Sequence, residues 1–330
     1  MNPRRALLGT ALGVAGLAGA VYGLERSALA RIRARPDPDA GADFALPPGA
    51  LHRFPSHDGG TIATRTVGTG PPIVLSHGVT LSNRTWVKQF ESLAAAGFQV
   101  VAFDHRGHGE SETGDTGHSL DNLAADVRTV IDALDLTDAV LVGHSMGGIA
   151  VQAYAARHAA HAAAHVNGLV LLSTLAKVRV SELRGVRTAL ETLVGAGPDF
   201  GRLLRHPDLG FLAARVGFGT EPQPSHVELT RQMIGECARD TNRGAPRALF
   251  GLDLTPELAS ITLPTLVVGG TADLLTPPAE SRRISQLIPG ARLELFPGAG
   301  HMLMLERAKE LDELIVGFAR EVGAHPRRSA

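Results

Sequence analysis

Short apolar runs recur along the chain at Pro72–Ser76, Gln99–Asp104, Ala139–Val142, Gly168–Leu172, Pro264–Gly270 and Ala291–Phe296, each closed by a glycine, a proline or a polar residue. Runs of that length and apolarity predict buried strands. Helical stretches are predicted between and after them near Arg84–Ala95, Leu120–Leu134, Ile149–Ala160 and Arg307–Phe318. Ahead of these, Leu51–Phe54 and Thr61–Val67 flank His57-Asp58-Gly59-Gly60 and predict an opening antiparallel hairpin. Alternation of strand with helix predicts a mainly parallel sheet covered by helices on both faces. From Ser173 to Pro264 the alternation gives way to short helical stretches, Ser181–Val194, His226–Arg239 and Ala245–Phe250. No internal repeat is visible.

The first residues follow another pattern. Arg4-Arg5 precedes an uncharged run, Ala6–Leu24, and Glu25-Arg26 with Arg31, Arg33 and Arg35 follow it. That length just spans a bilayer. Residues 1–35 therefore read as a membrane anchor, as a signal segment cut near Ala18-Gly19-Ala20, or as an apolar surface helix. The chain is expected to be membrane-associated through residues 6–24, or secreted if that segment is cleaved. The arginines beyond Leu24 favour a cytoplasmic body by the positive-inside rule, whereas Arg4-Arg5 at the head of a leader favours export. Residues 36–50, with Pro-Asp-Pro-Asp and Pro-Pro-Gly, read as a polar linker.

The strand Ala139–Val142 runs into Gly143-His144-Ser145-Met146-Gly147-Gly148. A serine between glycines at a strand end, with a helix behind it, can hold its hydroxyl clear of the backbone as a nucleophile. The helix N-terminus behind it favours developing negative charge. Such a serine needs a base and an orienting acid, which in this arrangement follow it in the order acid, then histidine. Asp273 stands in the loop after Pro264–Gly270, and His301 ends the turn Pro297-Gly298-Ala299-Gly300-His301. Pro72–Leu75 ends in Ser76-His77-Gly78-Val79, so the backbone N–H groups of Val79 and Met146 are candidate donors to one oxyanion.

Taken together, these pieces resemble an α/β-hydrolase of the serine-hydrolase superfamily, of the esterase or monoacylglycerol-lipase sort, over residues 51–322. Phe103-Asp104-His105-Arg106-Gly107-His108-Gly109-Glu110-Ser111 is similar to the turn after that family's fourth strand, and reads as structural despite its histidines and acids. The resemblance implies the α/β-hydrolase fold: a mostly parallel eight-stranded sheet with helices on both faces, a helical cap over about 175–258, and a short tail, 323–330. It also implies Ser145 as nucleophile, His301 as base, Asp273 as acid, and Val79 and Met146 as oxyanion donors. Ester hydrolysis through an acyl-enzyme is the activity expected. Carbon–carbon bond, thioester or lactone hydrolysis and cofactor-free perhydrolase chemistry use the same triad. Relatives with epoxide-hydrolase or dehalogenase activity use an aspartate nucleophile, the former with cap tyrosines, whereas Tyr22 and Tyr154 are the only tyrosines here and lie outside the cap. A non-catalytic binding protein would not need to keep Ser145, Asp273 and His301 together.

Composition narrows the partners. A net charge of −1 over 330 residues leaves no basic footprint for nucleic acid. A single cysteine, Cys237, removes intrachain disulfides and cysteine-based zinc sites. His158, His161 and His165 are spaced to share one helix face, but their place at the far end of the helix after Ser145 reads as a solvated helix end. No metal and no cofactor is implied. The expected ligand is a small apolar ester, held under aliphatic cap residues such as Val186, Leu190, Leu193, Leu203, Leu204, Phe211, Leu212, Met233 and Ile234, with medium acyl chains preferred.

Overall fold

The structure is a computed structural model that describes residues 26–45, 49–178 and 205–324. Eight strands form one sheet: β1 (Ala50–Pro55), β2 (Thr61–Val67), β3 (Pro72–Ser76), β4 (Gln99–Phe103), β5 (Ala139–His144), β6 (Val166–Leu172), β7 (Thr265–Gly270) and β8 (Arg292–Phe296), in the spatial order β1-β2-β4-β3-β5-β6-β7-β8. β1 and β2 form the antiparallel hairpin, β2 lies antiparallel to β4, and every later pairing is parallel. Residues of β3, β5 and β7 are buried throughout, as strands covered on both faces must be.

The side chains alternate between two cores. Leu75, Ala102, Val142, Leu172 and Val268 meet Phe90 and Leu93 of helix α1 (Val87–Ala95) and Leu311, Ile315 and Phe318 of the last helix (Ala308–Ala324). Val74, Val101, Leu141, Leu171 and Val267 meet helix α2 (Leu120–Ala133), helix α3 (Met146–Arg157) and Ile284 of Pro278–Leu287. β3 connects towards β4 and the hairpin, while β5 connects away towards β6, β7 and β8. Ligands in open parallel sheets bind beyond the carboxyl ends of strands that part in this way.

Several elements depart from the sequence expectation. α3 ends at Arg157, the chain turns at His158 (φ −112°, ψ 39°), and a second short helix occupies Ala159–His165. Arg84–Ala95 opens as a 3₁₀ turn, Asn83–Trp86, before α1 begins. The helix expected over Ala245–Phe250 starts earlier, spanning Arg239–Ala248, with Pro246 in its last turn, where Leu249 and Phe250 close tighter turns onto Pro246 and Arg247. Helices Leu209–Arg215 and Pro224–Glu236 also lie between β6 and β7, while Ser181–Val194 falls outside the described residues.

The end of the segment expected to be an anchor or signal, residues 26–35, and the expected linker both make contacts with the folded body where they are described. Residues 26–33 are helical with Leu29 buried, and Arg26 and Arg33 both pair with Asp208. Asp37 accepts hydrogen bonds from the backbone N–H (2.8 Å) and hydroxyl (2.7 Å) of Ser225, capping Pro224–Glu236. Asp39 joins Lys88 to His226, and Phe44 meets the His226 ring edge-on. A polar, proline-containing segment reads as linker because its carboxylates find their partners only far along the chain. The 6–24 run lies outside the described residues, and among the described residues no helix is long and apolar enough to cross a membrane.

Candidate active site

Ser145 joins β5 to α3 with φ 53° and ψ −117°, a strained conformation for a residue with a side chain. Surrounding bonds hold it there. Its N–H donates to the Leu172 carbonyl (3.0 Å), and its own carbonyl accepts from the Ile149 N–H (3.1 Å) and the Thr174 hydroxyl (2.7 Å). The flanking glycines permit the close approach this turn requires: a Cβ on Gly147 would stand 2.2 Å from the Ser76 carbonyl oxygen, and one on Gly143 2.6 Å from that of Gly147. The start of α3 is thereby pressed against the end of β3, and Gly78 comes beside the serine, 3.2 Å separating a Cβ placed on it from Ser145 Cβ.

Ser145, Met146, Val79 and His301 line one cavity of about 330 Å³ at the carboxyl ends of β3 and β5. Among the described residues no acceptor takes the N–H of Val79 or of Met146. Asp273 lies behind His301, 3 % exposed, with Oδ2 2.9 Å from His301 Nδ1. A carboxylate only accepts, so Nδ1 carries the proton and Nε2 keeps its lone pair. Asp273 Oδ1 accepts from the N–H groups of Leu275 and Thr276, both at 2.8 Å. Burial pushes its pKa up, but the hydrogen bonds and charge of His301, with the bonds from Thr276, outweigh it and hold the carboxyl below its ordinary value.

Two further residues shape the histidine. The Thr276 hydroxyl donates to Asp273 Oδ2 (2.7 Å) and sits 3.2 Å from His301 Nδ1. His144 Nε2 donates to the His301 carbonyl (3.0 Å), with the two rings 4.6 Å apart. Burial, followed by the nearby His301, lowers the His144 pKa well below the usual range and keeps that ring neutral. No spacing signal marks Thr276, and His144 occupies the unspecified position of G-x-S-x-G.

The histidine-rich turn after β4 builds the floor beneath this loop. Arg106, fully buried, is held by Asp126 (2.6 and 2.9 Å), Asp58 (2.9 Å) and the Gly117 carbonyl. Asp104 accepts the N–H groups of Asn83 and Glu110, and His108 Nε2 accepts that of Thr80, next to Val79. None of these side chains lines the cavity. Asp253, a second carboxylate after Ser145, is paired with Lys177 on the outside and also stays away from it.

The cavity wall is aliphatic, formed by Leu81, Ile149, Leu175, Val178, Ala213, Ala214, Ile234, Leu249, Leu275 and Met302 with Thr80 and Thr230. Of the cap residues expected there, Ile234 is present. Phe211 and Met233 are buried in the core instead, Leu212 packs against that core, and Val186, Leu190, Leu193, Leu203 and Leu204 lie outside the described residues. A helical period marks which residues are apolar without saying whether they face the cavity or the sheet.

The histidines after α3 do not share one helix face. His158 stacks on Tyr154, while His161 lies between the Tyr154 hydroxyl and Asp132, at 2.7 Å from each, and His165 Nδ1 donates to the Leu136 carbonyl. Asp132, His161 and His165 present ligand atoms within 4.8 Å of one another, the set among the described residues with metal-ligand chemistry. The Cys237 thiol is buried, which pushes its pKa up to about 12.

A family model described as the alpha/beta hydrolase fold matches residues 71–308. A non-heme haloperoxidase of Rhodococcus erythropolis is 31% identical over 280 residues, covering 79% of this chain and 96% of its own. Among solved structures, an esterase from Exiguobacterium antarcticum superposes with a TM-score of 0.72 at 25% identity, covering 83% of this chain and 100% of its own. An enol-lactonase from Burkholderia xenovorans LB400 superposes at 0.68 with 28% identity, covering 82% and 100%.

Proposed function

The chain belongs to the alpha/beta hydrolase family, and we propose that it is a serine hydrolase of carboxylic esters. The observation that carries this reading is the direct His301–Asp273 bond behind a cavity that also holds the strained Ser145. His301 Nε2 takes the Ser145 proton as Oγ attacks the ester carbonyl. Asp273 keeps the proton on Nδ1 and stabilises the imidazolium as it forms. The oxyanion of the tetrahedral intermediate takes the N–H groups of Val79 and Met146. His301 then gives its proton to the departing alcohol, leaving an acyl-Ser145 ester. Water, deprotonated by the same histidine, releases the acid and restores the serine.

The helices between β6 and β7 act as the cap, and their aliphatic contribution to the cavity supports substrates with medium-length acyl chains. The uncharged run 6–24 supports attachment to a membrane, or export where it is removed. A fluorophosphonate probe tests the core of the reading: it should label wild type at Ser145, fail on Ser145→Ala, and be blocked by p-nitrophenyl butyrate. A probe that leaves Ser145 unlabelled while the folded protein binds esters without turnover would make it a binding protein.

The haloperoxidase relative favours a second use of the same intermediate. Hydrogen peroxide attacking acyl-Ser145 in place of water would release a peracid and regenerate the serine, with no redox group needed. Peracid formation from acetate and hydrogen peroxide, lost in Ser145→Ala, distinguishes that use from hydrolysis alone.

A further inference from the structure

Among the described residues four large hydrophobic side chains are exposed, Leu209 (40%), Val216 (45%), Leu274 (72%) and Leu275 (51%): Leu275 lines the Ser145 cavity, Leu274 and Val216 adjoin its lining residues Leu275 and Gly217 in the chain, and Leu209 begins the helix whose Ala213 and Ala214 line it. Leu209 and Val216 are seven residues apart at the two ends of Leu209–Arg215, so two helical turns bring them to the same side. Ala213, Ala214 and Gly217, from that helix and the turn after it, line the cavity. Leu275 Cδ1 lies 4.0 Å from where a Gly217 Cβ would stand, so the rim continues across the mouth to Leu274 in the Asp273 loop. A soluble surface scatters single apolar residues, and gathering them at one opening marks an interaction site.

What covers this rim is indicated by the chain that leads to it. Asp208, which begins the rim helix, pairs with Arg26 (3.3 Å) and Arg33 (2.9 Å), and the Arg33 guanidinium lies over the Phe211 ring at 5.1 Å. Residue 26, where the described chain starts, is therefore fixed at one end of a seven-residue helix whose other end borders the cavity. Such a helix spans roughly 10 Å. The preceding 25 residues include the uncharged run 6–24, and residues 26–35 carry Arg26, Arg31, Arg33 and Arg35 with no acid among them, met by two carboxylates of the fold, Asp208 for Arg26 and Arg33 and Glu221 for Arg35 (3.9 Å), so that a net positive charge remains. The basic collar thus lies against the helix that leads to the apolar rim and directly follows the uncharged run in sequence, which is the charge and polarity order of a bilayer interface.

We propose that the cavity mouth faces an anionic lipid surface: Leu209, Val216, Leu274 and Leu275 enter the acyl–headgroup boundary, the four arginines lie against the headgroups, and the enzyme draws acyl esters from the lipid phase. The substrate part rests on the ester-hydrolase reading, whereas the docking part stands apart from it. Lateral entry suits a wall with few polar groups, since an acyl chain then passes from lipid to cavity without crossing water.

The test uses the full chain with a single environment-sensitive nitrobenzoxadiazole label at Leu274→Cys or Val216→Cys, and as control at Thr137→Cys, exposed just before β5 at the opposite, amino-terminal end of the strands; the buried Cys237 does not compete for label. Phosphatidylcholine vesicles with and without phosphatidylglycerol are added. The labels at 274 and 216 should shift to the blue and be quenched by doxyl-lipids, more strongly with phosphatidylglycerol and less in high salt, while 137 does neither. Leu209→Ser, Val216→Ser and Leu274→Ser together should lower kcat/KM about a thousandfold for an ester dissolved in vesicles, at roughly tenfold for each large side chain withdrawn, and leave a water-soluble ester unaffected. Labels that stay in water, whether or not the chain floats with the vesicles, overturn the proposal. Labels already shielded without lipid overturn it too, in favour of a second copy or residues 179–204 as the cover. Quenched labels on a protein that hydrolyses no ester would keep the docking and discard the ester-hydrolase reading.

Discussion

Two clusters of buried histidine and carboxylate lie at the carboxyl end of the sheet, and they do opposite things. In the first, His301 and Asp273 share a direct hydrogen bond and the histidine borders the cavity. In the second, His77 stands beside Asp104 and packs against the rings of His105 and His108, but every polar contact turns inward. His77 Nδ1 donates to the Gly78 carbonyl and Nε2 accepts the His105 N–H, and it stands 3.7 Å from the nearer Asp104 oxygen. The carboxylates diverge accordingly. Asp273 is held below its ordinary pKa by its neighbours despite burial, whereas burial pushes Asp104 up to about 6 against two backbone donors. Burial, with help from His108, drives His77 down to about 3 and leaves it uncharged. A perturbed group becomes a working one only when its partner bonds it directly and its free edge meets the substrate.

That contrast breaks most visibly at the nucleophile. Ser145→Ala and His301→Ala should each lose up to about a millionfold in kcat, and the double variant should lose little more than either. Steady-state rates on p-nitrophenyl esters decide it, and additive losses would show that the two do not act as a unit. Next comes Asp273→Asn, which should cost about 10⁴-fold by favouring the wrong histidine tautomer. With Asp253 paired to Lys177 away from the cavity, no second carboxylate stands in for it, and a fully active variant would mean that the acid lies elsewhere.

On the other side of the comparison, Arg106→Leu should leave catalysis per folded molecule intact and lower stability by about 3–5 kcal/mol, because two buried carboxylates lose their counter-charge. Denaturant melts paired with rates on the folded fraction separate the two effects. Thr276→Val removes one donor to Asp273 and keeps the shape, so kcat should fall about tenfold with KM little changed.

The smallest effect is on pH. Because the folded Asp104 pKa lies above its unfolded value near 3.8, the native state binds the proton more tightly. Its contribution is fully present below pH 4 and is lost as pH rises towards 6. Asp273, held low, contributes in the opposite sense: fully present above its unfolded value and lost as acid reaches its folded pKa. Thermal melts from pH 4 to 7 should show a flatter decline in Asp104→Asn than in wild type.

Much of this was legible in the chain because each strand is a short apolar run ended by a glycine or a polar residue, and because burial on both faces leaves few other readings of Pro72–Ser76 or Thr265–Gly270. The eight-stranded sheet and the family follow from that order of elements. Residues whose role depends on distant partners were not legible. Thr276 matters through Asp273 and His301, His144 through the His301 carbonyl, and Asp37 and Asp39 through side chains nearly two hundred positions away. Apolar periodicity placed Met233 and Phe211 in the cap without telling core from cavity, and the turn at His158 is set by contacts with Tyr154 that no propensity scale contains.

The docked segment before β1 decides where this polypeptide can be shortened. A cut placed after residue 40 would strip Ser225 and His226 of Asp37 and Asp39, uncover the pocket that Leu29 fills, and leave Asp208 without either arginine. A chain begun just ahead of Arg26 sheds the whole apolar run and keeps every one of those contacts. Crystallisable protein is therefore to be sought from that starting point.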